Sequence, residues 1–113
     1  MITFKRIFRV RVIKASLLPQ LLGVDAITLY PLIFTAEESP DDILLNHEFL
    51  HVKQVETFGW FQFYLAYLMY YCAGRLSGLD HDDAYQKIPF EEVAYEQEDH
   101  PSLIGERIQR GIV

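Results

Sequence analysis

The chain is poor in cysteine and holds only Cys72 among its 113 residues. A single cysteine excludes an intramolecular disulfide framework and a structural zinc site built from several cysteines. Cys72 lies in an apolar run, where we expect a buried and unreactive thiol. Half of the residues are apolar and 14% are aromatic, which is typical of a folded chain. This length and composition predict a single domain over residues 1–113.

Acidic residues are absent from the first segment, "MITFKRIFRVRVIKAS", which carries Lys5, Arg6, Arg9, Arg11 and Lys14. The net charge of −6 therefore falls on the rest of the chain. A basic segment can contact nucleic acid or an anionic membrane. Nothing else in the sequence indicates nucleic acid, so we expect a strand or short helix packed on the chain's own acidic surface. A cleavage site is also lacking, which predicts a mature fold and a cytoplasmic location.

A charged residue is lacking from the run "FGWFQFYLAYLMYYCAG", between Glu56 and Arg75. The run is of marginal length for a bilayer, contains Gln62 and is interrupted near its start by Gly59. We expect a central helix that is shielded by its neighbours or by a second subunit in a homo-oligomer. The alternative is membrane association through this run and the basic N-terminus.

The segment before this run has the residues of a helix start and a helix end. Ser39 can serve as the N-cap, Pro40 fits the first helical position, and Asp42 falls in the first turn. The pattern predicts a helix from about Pro40 to Phe58 that ends at Gly59.

The remaining segments give four further expectations. Pro31 interrupts the strand formers around Ile27–Phe34, which predicts an edge strand or a broken strand. "RLSGLDHDDAYQKI" is typical of a polar loop, and its acidic residues indicate a solvated turn rather than a second metal site. "PFEEVAYEQED" predicts a helix that begins at Pro89. "SLIGERIQRGIV" predicts a short amphipathic piece docked on the body of the domain.

The stretch "HEFLH" contains candidate metal ligands and a candidate general base. His47 and His51 are four residues apart, so a helix places both imidazoles on one face, where they can bind one metal ion. Glu48 lies about 100° around the helix and can accept a proton from a water held at the metal. The alternative is a pair of histidines on a helix face with no metal.

A third histidine in the pattern HExxHxxGxxH is absent, because Thr57 occupies its position. A hydrolytic zinc site has three protein ligands and an open position. The third ligand must therefore come from elsewhere in the chain. The candidates are Glu91 in "PFEEVAY", and also Cys72, His81 and His100.

His-Glu-x-x-His followed by Glu-x-x-Ala resembles the gluzincin metallopeptidases, in which a glutamate of a second helix is the third zinc ligand. The resemblance covers residues 40–98, and in length and layout the chain is similar to the minigluzincins. It implies a small α+β, zincin-like domain with an active-site helix, a glutamate-bearing helix, a central apolar helix and a short N-terminal sheet. It also implies a zinc peptidase with metal ligands His47, His51 and Glu91, and with Glu48 as general base. The small Ala94 would let the two site helices approach.

The resemblance gives expectations for several neighbouring residues. Tyr95 stands where gluzincins often carry an acid, so its hydroxyl would orient a histidine or stabilise the oxyanion, or its ring would simply pack. Glu92 is an alternative ligand one residue away, and Gln54 could support His51.

The resemblance further implies a peptide substrate laid along the strand around Ile27–Phe34. It implies latency as well, with the basic N-terminus or "ERIQRGIV" over the cleft. The alternative function is an inactive, metal-stabilised scaffold that associates through its aromatic helix.

Overall fold

The computed structural model of the chain describes residues 9–112, and within them an α+β domain of three strands and six helices. The strands are β1 (Arg11–Ile13), β2 (Ala26–Leu29) and β3 (Leu32–Thr35). The helices are α1 (Leu17–Leu22), α2 (Asp42–Phe58), α3 (Trp60–Leu76), α4 (His81–Gln86), α5 (Pro89–Gln97) and α6 (Ser102–Gln109).

The strands form one sheet in the order β1-β3-β2, with β1 parallel and β2 antiparallel to β3. The run around Ile27–Phe34 is therefore a broken strand, because a turn at Tyr30 and Pro31 divides it into the β2–β3 hairpin. Proline has no amide hydrogen to donate to a ladder, which is why the division falls there. The hairpin leaves β2 at an edge of the sheet, next to α2.

Helix α2 is central to the packing and contacts β2, α3, α5 and α6. Its predicted end is confirmed, because Gly59 follows with a φ of 97°, a conformation that favours glycine. Its predicted N-cap is wrong: the carboxylate of Asp41, not Ser39, accepts the hydrogen bond of the Leu44 amide at 2.8 Å. The carboxylate satisfies a free amide of the first turn, so the helix begins two residues later than predicted.

The core lies between the sheet, α2, α5 and α6. It is built from aliphatic residues and one aromatic residue that are almost fully buried: Val10, Ile33, Phe49, Leu50, Val52, Ala94, Leu103 and Ile112. The C-terminal segment is docked as predicted, since Leu103 and Ile112 belong to this core.

The apolar helix α3 is not shielded by its neighbours in the chain. Phe63 is its only fully buried residue among those described, and large apolar side chains on its other faces are exposed. The expectation of a buried Cys72 is therefore wrong, because this thiol lies on the exposed face of α3. Within residues 9–112, no helix combines the length and the apolar character that crossing a bilayer requires.

The segment predicted as a polar loop contains the helix α4. Asp80 caps this helix by accepting from the Asp83 amide at 2.8 Å, so its acidic residues favour a helix start. The loop prediction missed this cap. The predicted start of α5 at Pro89 is confirmed. The basic segment lies half within the described residues, where β1 is a strand of the kind predicted, and its residues 1–8 lie outside the described residues.

Candidate metal centre

Helix α2 places His47 and His51 on its inner face, where both side chains are about 95% buried (5% and 4% exposed). Their rings stand edge to face with centroids 4.9 Å apart. The four-residue spacing brings both Nε2 atoms toward one point, as the sequence predicts.

Glu91 reaches this point from the first turn of α5. Its Oε1 lies 2.8 Å from His47 Nε2, and its Oε2 lies 3.1 Å from His51 Nε2. Ala94, one turn further on, is completely buried and contacts the core beside α2, as expected for a small residue between two close helices. The ligand atoms of the three residues lie within 4.8 Å of one another, so together they could hold a metal ion.

Two observations show that this donor set fits a metal. His51 Nε2 is buried and makes no hydrogen bond, although Glu91 Oε2 lies 3.1 Å away. A buried polar atom without a partner is costly, and a metal would satisfy it. Two imidazoles and a carboxylate are also the ligands that zinc takes in hydrolytic sites.

Gln54 contacts Nδ1 of His51, the ring nitrogen that faces away from Glu91. Its amide nitrogen donates to the Phe90 carbonyl at 3.1 Å, which turns its Oε1 toward His51 Nδ1 at 2.9 Å. This arrangement keeps a proton on Nδ1, so that Nε2 is the nitrogen that offers its lone pair once its own proton is displaced. The structure thus places Gln54 in the supporting position that the sequence predicts.

Glu98 contacts Nδ1 of His47, the ring nitrogen that faces away from Glu91. The sequence alone did not indicate this residue. Its Oε1 lies 2.8 Å from His47 Nδ1. Tyr95, named for this role, instead packs its ring against His47 at a centroid distance of 4.5 Å. Glu98 follows Glu91 by seven residues, two turns along the same helix face, and that spacing is the signal that could have revealed it.

Tyr67 is a second residue that the sequence did not indicate. Its hydroxyl, from α3, donates to Glu91 Oε2 at 2.5 Å. Tyr67 lies on the side of α3 that faces the site. Its burial and the negative charge of Glu91 raise the pKa of the phenol far above its usual range, so it remains a donor.

Glu48 is buried next to the two histidines. The hydroxyl of Thr28, on β2, donates to Glu48 Oε1 at 2.7 Å and fixes the carboxyl group against the sheet edge. Burial raises the pKa of Glu48, although the nearby His51 and the Thr28 hydrogen bond act in the opposite direction. A carboxyl group with a raised pKa is a better proton acceptor near neutral pH.

The charges of the cluster stabilise one another. Burial alone would lower the pKa of His51, yet contact with Glu91 raises it to about 9. The pKa of His47 rises for the same reason, also against its burial. Burial likewise opposes the charge of Glu91, but its contacts with both histidines hold its pKa well below the usual range. Without a metal the negative charge of Glu91 favours the protonated histidines, and a divalent cation would replace these protons.

The other candidate ligands lie outside this cluster, although His81 lines both cavities described below. Cys72 is exposed on α3, His81 contacts the Tyr71 hydroxyl at 2.9 Å, and His100 contacts the Ser102 hydroxyl at 2.9 Å. Glu92 is exposed on α5. Within the described part of the chain, His47, His51 and Glu91 form the cluster with metal-ligand spacing.

Two cavities meet at Glu48. One, of about 400 Å³, lies beyond His47 and carries several carboxylates. The other, of about 300 Å³, lies beyond His51 and is mostly apolar, with lining residues that include Leu22, Val24, Ile27, Leu29 and Phe63. Tyr85 lines both cavities. Space for an extended molecule therefore exists on both sides of the cluster.

Comparison of the chain with protein-family models, curated proteins and solved structures finds no match. The function must therefore be argued from the site itself.

Proposed function

We propose that this protein is a zinc-dependent metallopeptidase of the gluzincin type, with a zincin-like fold around its metal centre. The observation that carries the proposal is the convergence of His47, His51 and Glu91, with Glu48 beside them. Each histidine also has a hydrogen-bond partner at Nδ1, Glu98 for His47 and Gln54 for His51. A helix that carried two histidines by chance would need none of these partners.

A bound divalent metal supplies Lewis acidity, which polarises a carbonyl group and lowers the pKa of water. The residues of the chain hold and orient it. His47 and His51 offer Nε2 with the tautomer fixed through Nδ1, and Glu91 offers a carboxylate whose charge Tyr67 supports through a hydrogen bond.

Glu48 is the general base in this proposal. Its carboxylate accepts a proton from the attacking water and returns it to the leaving amine. Thr28 keeps one carboxyl oxygen in place, so the other is available for the proton. Tyr85 lines both cavities beside Glu48 and is protonated at neutral pH, because burial raises the pKa of its phenol. Tyr85 is therefore a better placed donor to an oxyanion than Tyr95, which packs on His47.

The edge of β2 supports the binding of an extended peptide, but only over a short length. The Tyr64 hydroxyl donates to the Thr28 carbonyl at 2.9 Å and accepts from the Tyr30 amide at 2.9 Å. These groups of the edge are therefore occupied. A substrate strand would pair with the part of β2 that precedes them, and the apolar cavity beside His51 would receive an apolar side chain.

Latency, implied by the resemblance, is proposed for the N-terminal segment only. The end of the chain packs on the opposite face of α2, where Arg107 donates to Asn46 and Arg110 pairs with Glu56. Among the described residues, those of "ERIQRGIV" line neither cavity. A rise in peptidase activity on removal of residues 1–8 would support latency, and unchanged activity would contradict it.

The first experiment measures metal per chain by plasma mass spectrometry for the wild type and for Glu91→Ala. We expect about one zinc per wild-type chain and much weaker retention in the variant. A well-folded wild type that takes up no metal after incubation with zinc would overturn the proposal.

The second experiment separates the peptidase from a metal-stabilised scaffold, which the exposed apolar face of α3 favours as the second candidate. Glu48→Gln keeps the shape of the side chain and removes its basicity. We expect metal content to stay unchanged while hydrolysis of a fluorogenic peptide library falls by about 10²–10⁴-fold. Turnover equal to that of the wild type would exclude Glu48 as the base.

A further inference from the structure

Among the described residues, α3 carries more exposed large apolar side chains than any other element, and its outer side faces away from the metal centre. One side of this helix packs on the domain through Phe63, and through Gly74 against Ala84. The opposite side carries Phe61 (64% exposed), Leu65 and Leu68 (57% exposed). With the exposed Cys72, these residues form what we call the α3 seam: Phe61, Leu65, Leu68 and Cys72.

The spacing of the α3 seam is that of a helix-pairing surface. Its members follow one another by four, three and four residues, which is the spacing of the a and d positions of a coiled coil. Met69 and Leu76 flank the seam and are also largely exposed. No charged residue interrupts it before Arg75, and no element within residues 9–112 covers it.

The seam is complementary to itself when two copies of α3 run antiparallel. If the two-fold axis passes between Ala66 and Tyr67, Leu65 of each copy faces Leu68 of the other. In the same register Phe61 faces Cys72, so a large side chain meets a small one at both ends. Antiparallel coiled coils pair an a position with a d position in this way, and a two-fold interface requires such self-complementarity.

The ends of this register are compatible as well. No charged residue lies between Phe61 and Cys72, and Arg75 lies beyond the last member of the seam. Like charges therefore do not face each other along the seam.

The exposed area agrees with a modest dimer. Five large apolar side chains at and beside the seam are 44–88% exposed: Phe61, Leu65, Leu68, Met69 and Leu76. At roughly 80 Å² each, they offer about 400 Å² per copy. The total of about 800 Å² is that of a weak, transient interface. An anionic lipid surface is a poorer occupant, because the chain carries a net charge of −6 and Asp80, Asp82 and Asp83 lie just beyond α3.

We propose that two copies of this chain pair through the α3 seam as an antiparallel, two-fold dimer with Leu65 of each copy against Leu68 of the other. The dimer covers the outer side of the helix that supports the metal centre through Tyr67 on its inner side. Its dissociation constant is of micromolar order, in keeping with the small area.

Analytical ultracentrifugation over a range of protein concentrations tests the association. We expect the wild type to dimerise in the micromolar range and Leu65→Glu to weaken dimerisation at least about tenfold. Leu21→Glu is the matched control, because Leu21 is 80% exposed on α1, outside the seam, and should leave dimerisation unchanged. Circular dichroism verifies that each variant is folded. A wild type that stays monomeric at high concentration, or a Leu65→Glu variant that dimerises normally, would overturn the proposal.

Disulfide cross-linking tests the register. In the antiparallel pair the two Cys72 residues are separated by about 16 Å along the helix axes, too far for a disulfide. Oxidised wild type should therefore remain free of cross-links. Phe61→Cys places a second thiol opposite Cys72 of the other copy and should give a cross-linked dimer in high yield. Ready cross-linking of the wild type through Cys72, or none in Phe61→Cys, would rule out this register.

Discussion

Gln54 and Glu98 act on the two histidines from the side away from the metal position. Each holds an Nδ1 atom within 2.9 Å, so each Nε2 is left to face Glu91. Such partners keep a ligand in the correct tautomer and orientation, and their loss weakens metal binding without removing a ligand. At the scale of single residues, the site therefore depends on side chains that would not touch the metal.

Replacing Glu98 tests this dependence. Glu98→Ala removes the acceptor of His47 Nδ1, and we expect metal affinity to fall by roughly 10–100-fold. Competition with a chromogenic zinc chelator measures the change. The side chain is only partly buried, at 24% exposure, so the fold should survive.

Glu92→Ala is the matched control for Glu98→Ala, since it removes an exposed glutamate of the same helix. It changes the net charge equally but leaves both histidines in place. Equal losses of affinity in the two variants would mean that charge near the site, and not the bond to His47, accounts for the effect.

Helix α6 is fixed to α2 by one buried cation. Arg107 is 2% exposed and donates to Asn46 Oδ1 and Asp42 Oδ1, both at 2.8 Å. Its guanidinium group also donates to the Ile112 carbonyl, which ties the end of the chain to the same point. At the scale of elements, these bonds hold α6 against the face of α2 opposite the histidines.

Arg107→Ala should therefore destabilise the whole domain. It leaves the buried Asn46 without its donor, and we expect the free energy of unfolding to fall by about 3 kcal/mol. Urea denaturation measures this. The control is Arg110→Ala, which breaks a more exposed pair with Glu56 and should cost less than about 1 kcal/mol. A smaller loss of unfolding free energy in Arg107→Ala than in Arg110→Ala would contradict the proposed role of Arg107 in fixing α6 to α2.

The metal centre joins parts of the chain that are far apart in sequence. His47 and His51 come from α2, Glu91 from α5, and Tyr67 reaches Glu91 from α3. At the scale of the whole molecule, a metal bound here links these three helices, so its binding free energy adds to the stability of the fold.

Removal of the metal should therefore lower the melting temperature. A thousandfold excess of free zinc over its dissociation constant stabilises the native state by about 4 kcal/mol. Calorimetry with and without a chelator should show a difference on the order of 10 °C or more. Glu91→Gln provides the control, because a variant with impaired metal binding should melt at nearly the same temperature in both conditions. A wild type that melts equally in both would argue against a structural contribution of the metal.

Local chemistry determined much of this protein without help from the fold. The end of α2 at Gly59 and the start of α5 at Pro89 follow from backbone preferences of single residues. The shared face of His47 and His51 follows from the helix repeat. The choice of Asp41 over Ser39 as cap was less predictable, because both side chains can accept from a first-turn amide.

Tertiary structure decided which distant groups meet, and how much of each surface is covered. It brings Glu91 and Glu98 to His47 and Tyr67 to Glu91, because these contacts depend on how α5 and α3 pack on α2. It also leaves α3 exposed, Cys72 included, although the sequence favours burial. The spacing of residues along a helix determines which of them share a face. What that face contacts depends on where the other helices and strands pack, which the spacing does not determine.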